Sequence, residues 1–93
     1  SLAGLQQNEP DMPFYAYVLY SPSHKRYYKG HCENLEDRID EHNKGKTKST
    51  KAFIPWKLYY YEVFSTRQEA MKREKYFKTA AGRRYLTKEI KKE

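Results

Sequence analysis

The sequence predicts an α+β fold: a small three-stranded antiparallel sheet flanked by about three helices, in a single domain. Three short runs rich in aromatic and β-branched residues have the composition of strands. Two polar stretches begin with residues that commonly cap helices. A chain of 93 residues is the size of one domain and can bury only a modest core.

The first two strands are predicted to form a hairpin around a tyrosine-rich stretch. Residues 14–20 make the first run, a Ser-Pro-Ser-His segment breaks it, and residues 26–31 return. Since side chains alternate between the two faces of a strand, the hairpin is expected to bring Tyr17 near Tyr27 and Tyr28. Two phenol groups can then meet in one place. The plainer interpretation is a strand pair that packs through its tyrosine rings.

A first helix is predicted after the hairpin, from residue 35 to about residue 44. Asn34 is placed to cap its start, and Gly45 is placed to end it. Arg38 and His42 are four residues apart and therefore share one side of this helix, at the edge of its short apolar stripe. The plainer interpretations are a surface or partly packed histidine and an arginine paired with neighbouring acids.

A third aromatic strand, residues 56–64, leads into a second helix that runs to about residue 78. Thr66 and Glu69 form a capping-box pattern at its start. Glu74 falls inside the apolar stripe of this helix, where an unpaired carboxylate is costly to bury. Glu74 is therefore expected either to pair with a cation or to hold a metal ion. A last, basic helix is expected over residues 83–92.

The charge of the chain indicates a polyanionic partner, most commonly a nucleic acid. The formal net charge is +7 and the pI is about 9.5. Basic residues are concentrated in a lysine-rich segment, residues 44–55, which is expected to be a loop, and near the C-terminus; lysines contact phosphate without reading base sequence.

Other features of the composition limit where the protein is expected to act. With a single cysteine no intrachain disulfide can form, which fits a reducing compartment. No apolar run is long enough to span a membrane and no leader pattern is visible, so a cytoplasmic location is expected. Residues 1–13 are expected to be a flexible tail, and residues 14–93 are expected to form the domain.

The order of these features resembles the GIY-YIG nuclease domain, and the size is similar to that of the small stand-alone bacterial members. It also resembles the nuclease domain of the excinuclease C subunit. The resemblance covers residues 14–85, with the first motif as Tyr15-Ala16-Tyr17 and the second as Tyr28-Lys29-Gly30. The first motif keeps only its final tyrosine, and lysine replaces isoleucine in the second. The two helices that carry Arg38, His42 and Glu74 match the helical signatures of the family.

The resemblance implies hydrolysis of DNA phosphodiester bonds with one divalent ion, Mg²⁺ or Mn²⁺. Glu74 would hold the metal, Arg38 a phosphate oxygen, and Tyr28 would orient water or phosphate. Tyr17 is the expected general base, with its pKa lowered by Arg38 or the metal, and His42 would relay a proton or hold a phosphate oxygen. The residues expected to grip the nucleic acid are basic: Lys29, Lys44, Lys46, Lys48, Lys51, Arg83 and Arg84. The expected substrate is branched or damaged DNA in repair or processing, with a protein partner supplying specificity.

Two other classes of function remain open from the residues. Aromatic sheet faces with basic loops also describe non-catalytic modules that bind single strands or RNA by stacking bases on rings. A weaker alternative is an inactive scaffold that docks a protein partner through its tyrosines. Metal-dependent cleavage distinguishes a nuclease from the first alternative, and a steep salt dependence of nucleic-acid affinity argues against the second.

Overall fold

The computed structural model describes residues 13–90, and it confirms the predicted fold class. The elements in chain order are β1 (Phe14–Ser21), β2 (Arg26–Cys32), α1 (Leu35–Asn43), a 3₁₀ helix (Lys51–Phe53), β3 (Lys57–Phe64), α2 (Arg67–Phe77) and α3 (Ala80–Ile90). The predicted flexible tail lies outside the described residues except for Pro13. No helix within the described range is long and apolar enough to cross a membrane.

The three strands form an antiparallel sheet in the order β2-β1-β3, so β1 is central and β2 lies at an edge. Because helices cover both faces, four consecutive residues of β1, from Ala16 to Leu19, are at most 1 % exposed. Ala16 and Val18 pack with Phe77 of α2 and Leu86 of α3. The opposite face packs with α1 and the segment before β3, in a cluster of Tyr17, Leu19, Cys32, Trp56, Leu35 and Ile39.

The strand register decides which tyrosines meet. Leu19 lies opposite Tyr28, and Tyr20 lies opposite Tyr27. Tyr28 therefore shares the α1 face with Tyr17, as predicted. The expectation that Tyr27 also lies near Tyr17 is wrong: the alternation of side chains places Tyr27 on the other face, against Tyr20.

Both predicted helix starts are confirmed by their caps. The Asn34 side chain accepts a hydrogen bond from the backbone N–H of Asp37, and Thr66 accepts one from Glu69. Gly45, just beyond α1, has a φ of 78°, a left-handed conformation that glycine adopts without strain.

The last helix begins at Ala80, three residues before its expected start. Thr79 caps this helix, since its side-chain oxygen accepts a hydrogen bond from the N–H of Gly82 at 3.0 Å. A Cβ atom at Gly82 would lie 1.8 Å from the carbonyl oxygen of Tyr76, so glycine allows α3 to pack directly on the end of α2. The expected end at residue 92 lies outside the described residues.

Candidate active site

A polar cleft of about 540 Å³ opens at the β2 edge of the sheet. Because β2 is an edge strand, side chains from both faces of the sheet can reach the space beside it. One face contributes Tyr17, Tyr28 and Arg38, whereas the other contributes His31, Arg67 and Glu74. The structure therefore brings four of the five predicted catalytic residues to the wall of one cleft, and the fifth, His42, lies directly behind Tyr17.

Gly30 brings the hydroxyl of Tyr17 against the edge strand. The two residues lie opposite each other in the β1–β2 register. A Cβ atom at Gly30 would lie 2.6 Å from the Tyr17 hydroxyl oxygen and 2.7 Å from the ring carbon that carries it. Any other residue at this position would push the tyrosine ring away. The glycine of the second motif therefore leaves the space that the tyrosine of the first motif occupies.

Tyr17 begins a buried chain of hydrogen bonds. Its hydroxyl oxygen lies 3.2 Å from Nε2 of His42, and Nδ1 of His42 lies 2.8 Å from Oγ1 of Thr50. The Thr50 hydroxyl donates to the carbonyl oxygen of Thr47 at 3.3 Å. A hydroxyl has one proton to donate, so in this arrangement Thr50 accepts from the N–H of His42 at Nδ1. Nε2 is then unprotonated and accepts the hydroxyl proton of Tyr17.

The electrostatic environment keeps both members of this pair uncharged. Burial is the main cause that raises the pKa of Tyr17 above its ordinary value, and Tyr28 adds to the rise. Arg38 lowers the Tyr17 pKa as expected, but its effect is smaller than that of burial, so Arg38 by itself does not produce the expected net lowering. Burial, followed by the charge of Arg38, lowers the pKa of His42. His42 is 1 % exposed, which excludes a surface histidine.

Tyr28 and Arg38 complete the side of the cleft that faces α1. The Tyr28 ring centroid lies 6.3 Å from that of Tyr17 and 4.9 Å from that of His42. The Arg38 guanidinium lies 3.6 Å from the Glu41 carboxylate, and both side chains are more than 40 % exposed. Exposed pairs of this kind contribute little. Arg38 therefore retains donors that can bind an anion entering the cleft.

Glu74 stands on α2 with both carboxylate oxygens engaged. Its Oε1 lies 2.6 Å from Nδ1 of His31, and its Oε2 accepts from Nζ of Lys78 at 2.8 Å. Burial alone would raise the pKa of Glu74, but the contacts with His31 and Lys78 outweigh burial and hold the pKa below its usual value. Glu74 is thus a carboxylate at neutral pH, paired with the Lys78 ammonium and hydrogen-bonded to the His31 imidazole.

The donor set fits a hydrated Mg²⁺ or Mn²⁺ ion held by one carboxylate, and it does not fit a cage of protein ligands. Mg²⁺ keeps several waters and usually takes one or two carboxylates. A carboxylate engaged by two donors still has lone pairs for a cation. Among residues 13–90 there is no group of three or more histidine, cysteine or acidic side chains able to hold a metal. Glu74 is the residue that would hold the ion.

Several residues of the site carry no clear signal in the sequence. Thr50 lies in the lysine-rich loop, yet it is 1 % exposed, and its carbonyl oxygen accepts from Nε1 of Trp56 at 2.9 Å. His31 lies 43 residues from Glu74 in the chain. Lys78 carries a weaker signal, since it is four residues after Glu74 on the same helix and such residues are neighbours.

The predicted nucleic-acid contacts fall into separate places. The four predicted lysines of the lysine-rich segment are exposed, and none of them lines the cleft: Lys44, Lys46, Lys48 and Lys51. Lys44 pairs with Asp40 at 2.8 Å. Lys29 and Arg83 line a second cavity on the α2–α3 face of the sheet, whereas Arg84 is exposed on α3.

Fold and site together define a small α+β domain in which tyrosine, histidine, arginine and acidic side chains, Glu74 among them, surround a cleft at a sheet edge. Comparison with known proteins agrees: residues 13–87 match the family described as the GIY-YIG catalytic domain, and the chain belongs to that family. Membership implies a nucleic-acid substrate and is consistent with endonuclease chemistry.

Several proteins of similar size have sequences similar to this one. A UPF0213 protein of Bacillus licheniformis is 49 % identical over 65 residues, which cover 69 % of this chain and 66 % of the relative. A UPF0213 protein of Streptococcus agalactiae is 40 % identical over 77 residues, covering 82 % and 86 %. The solution structure of a UPF0213 protein from Bacillus halodurans superimposes with a TM-score of 0.50 at 28 % identity, covering 83 % of this chain and 84 % of that one.

Proposed function

We propose that this protein is a divalent-metal-dependent endonuclease that hydrolyses DNA phosphodiester bonds. The hydrogen-bond chain from Tyr17 through His42 to Thr50 is the observation that carries the proposal. It offers a proton acceptor at the wall of a cleft whose other side carries an ionised carboxylate, Glu74. Hydrolysis at phosphorus needs both features: a group that takes a proton from water, and charge that stabilises the phosphate oxygens.

The raised pKa of Tyr17 favours a relay over a standing phenolate. As the Tyr17 oxygen accepts a proton from the attacking water, its own proton passes to Nε2 of His42. His42 becomes an imidazolium, and its Nδ1–H bond to Thr50 keeps the ring in place throughout. Tyr17 thus acts as a base without ever being an isolated anion in a buried position.

Stabilisation of the phosphate comes from the rim of the cleft. Arg38 has two or more donors available for a non-bridging phosphate oxygen, because its contact with Glu41 is long and exposed. Tyr28 borders the same space and can donate its hydroxyl proton to the water or to the phosphate. A divalent ion on Glu74, when bound, would neutralise charge on the phosphate and leaving oxygen.

The proposal extends to the role of the chain in the cell. The net charge of +7 supports binding to a polyanion, with Lys29, Arg83, Arg84 and the loop lysines as contacts to the DNA backbone. We assign the activity to repair or processing of branched or damaged DNA in the cytoplasm, with specificity from a protein partner. This assignment rests on the family resemblance.

The test compares cleavage of plasmid, branched and single-stranded DNA in Mg²⁺, Mn²⁺ and EDTA. Glu74→Gln is expected to abolish cleavage and to retain DNA binding, since it removes the charge that attracts the metal and keeps the size of the side chain. Glu69→Gln, an exposed change on the same helix, is the matched control and is expected to cleave normally. Equal loss of cleavage and binding in Glu74→Gln would contradict the metal role. Metal-independent binding without cleavage by the wild type would support a binding module instead.

A further inference from the structure

A second cavity, of about 200 Å³, lies on the α2–α3 face of the sheet, between β2 and α3. Its base is apolar, because Val18 and Leu86 are at most 5 % exposed. Its walls are aromatic and its rim is cationic. The remaining lining residues are Tyr27, Tyr59, Lys29, Arg83 and Thr87. We call this cavity the tyrosine pocket.

Tyr27 offers an exposed aromatic ring that is held in place from behind. It is 48 % exposed, and its ring centroid lies 4.8 Å from that of Tyr20 and 5.1 Å from that of Tyr59. A hydrogen bond to Tyr59 raises the pKa of Tyr27 above its usual value. A ring fixed by its neighbours and open to solvent is a suitable platform for stacking a nucleobase, and such stacking tolerates any base.

The rim of the tyrosine pocket concentrates positive charge. Burial lowers the pKa of Lys29, and the nearby charges of Arg83 and Lys78 lower it further. Arg83 is held by a hydrogen bond of 2.9 Å from its Nη1 to the carbonyl oxygen of Lys78. None of the residues that line this pocket is acidic. Lys78 has a counter-charge in Glu74, but Lys29 and Arg83 have none among the lining residues; like charges repel one another, and a bound anion relieves that repulsion.

We propose that the tyrosine pocket binds one unpaired nucleobase of a DNA strand, with the adjoining phosphate on Lys29 and Arg83. The aromatic wall matches the base, and the cationic rim matches the phosphate. The volume is below the range of roughly 300–1,000 Å³ for pockets that hold drug-sized ligands, which fits a ligand the size of one base.

The position of the pocket defines the class of substrate, an inference that rests on the proposed endonuclease function. Lys29 directly precedes Gly30, which touches Tyr17, and Lys78 bonds Glu74. The cleft and the tyrosine pocket therefore both adjoin β2, and we expect a strand whose phosphate lies in the cleft to place a nearby nucleotide at the tyrosine pocket. A base can enter the pocket only when it is unstacked, and this costs least where it is mismatched, damaged or single-stranded. The enzyme thus prefers a phosphate next to an unpaired nucleotide.

The test measures DNA binding in EDTA, where no cleavage occurs. Fluorescence anisotropy gives the Kd for a labelled duplex with one unpaired nucleotide and for the same duplex with an abasic site in its place. The wild type is expected to bind the abasic duplex about 5- to 100-fold more weakly, the size expected for one base stacked on an aromatic ring. Tyr27→Ala is expected to reduce this ratio to about one, whereas Tyr27→Phe, which keeps the ring, is expected to retain it.

Tyr61→Ala is the matched control. Tyr61 is 47 % exposed, as Tyr27 is, but it lies on β3 and on the other face of the sheet. This variant is expected to keep the wild-type ratio. A wild-type ratio near one, or a ratio in Tyr27→Ala equal to that in Tyr61→Ala, would overturn the proposal.

The result is independent of catalysis. A ratio near one in a protein that cleaves DNA with Mg²⁺ would contradict base binding in the tyrosine pocket and would leave the endonuclease proposal intact. A high ratio in a protein that never cleaves DNA would support base binding in the tyrosine pocket and would contradict the proposal that the pocket lies next to a scissile phosphate.

Discussion

The hydroxyl oxygen of Tyr17 lies where a Cβ atom at Gly30 would approach it to 2.6 Å, so these two residues of neighbouring strands are matched in size. Real Cβ atoms do not come that close, and the buried ring of Tyr17 has little room to retreat, since it is 1 % exposed. The hydrogen bond from Tyr17 to His42 therefore depends on the absence of a side chain across the strand pair.

Gly30→Ala is accordingly expected to lower kcat by about 100-fold or more, because it moves the Tyr17 oxygen and a misplacement of about 1 Å can cost this much. The measurement is a double-mutant cycle with Tyr17→Phe, which removes the hydroxyl directly. If Gly30 acts through Tyr17, the second change adds little to the first. Independent, additive losses would show that Gly30 contributes to activity in another way.

Thr50→Val is expected to reduce both stability and activity while preserving the shape of the core. It leaves Nδ1 of His42 buried without a partner, which costs about 1–3 kcal/mol of unfolding free energy. It also releases the ring to adopt the other tautomer. Thr47→Val, which keeps the backbone carbonyl oxygen that accepts from Thr50, is the control. Urea unfolding and cleavage rates of the two variants separate the roles, and similar losses in both would contradict this account.

The pH profile of cleavage is expected to report His42. Neutral His42 is the active form, so the rate rises with pH through its folded-state pKa, which lies below the usual value of about 6.5. Burial and Arg38 lower this pKa, and Glu41 opposes them; Tyr17 and Tyr28 also face the ring. Because the pKa of His42 is lower in the folded state than in the unfolded state, neutral His42 contributes fully to the free energy of unfolding above the unfolded-state pKa. This contribution is lost as the pH falls through the folded-state pKa.

Arg38→Gln should therefore move the acidic limb of the cleavage profile to higher pH, since it removes a positive charge that disfavours protonated His42. The shift is read from the shape of the profile, so a lower overall rate does not obscure it. Arg67→Gln, which also removes an arginine from the cleft wall, provides the comparison and should leave the limb in place. An unchanged limb in Arg38→Gln would mean that another group limits the rate.

A second polar network is expected to contribute to stability without affecting the site. Glu62 of β3 accepts from Arg73 of α2 at 2.7 Å and from Tyr85 of α3 at 3.2 Å, and the Arg73 guanidinium lies over the rings of Tyr76 and Tyr85 at 4.6 and 4.9 Å. This half-buried arrangement connects three elements.

Arg73→Ala is expected to cost about 2 kcal/mol, less than the roughly 3–5 kcal/mol for breaking a fully buried pair because the partners are 29 and 21 % exposed. The control is Arg67→Ala, whose partner Glu33 and own side chain are both at least half exposed, and which should cost about 0–1 kcal/mol. Chemical denaturation gives both values. Equal costs would show that the half-buried setting of the Arg73–Glu62 pair adds nothing to stability beyond an exposed ion pair.

Local chemistry explains the parts of the molecule that were predictable from the sequence. Alternation along β1 places Tyr17 and Ala16 on opposite faces, and side-chain caps at Asn34 and Thr66 start α1 and α2. The spacing of Arg38 and His42 places them on one side of a helix. These features depend on residues within one or two turns of each other, so composition and periodicity reveal them.

Contacts between distant segments were decided by the tertiary structure alone. The strand register moved Tyr27 to the face opposite Tyr17 and created the tyrosine pocket with α3. The sequence left open whether Glu74 pairs with a cation or holds a metal ion, and its hydrogen bond to His31 joins residues that are 43 positions apart. Thr50 reads as part of a polar loop, and only the packing of that loop under Trp56 buries it against His42. A single sequence does not directly reveal such long-range contacts, because they depend on how the helices and strands pack together.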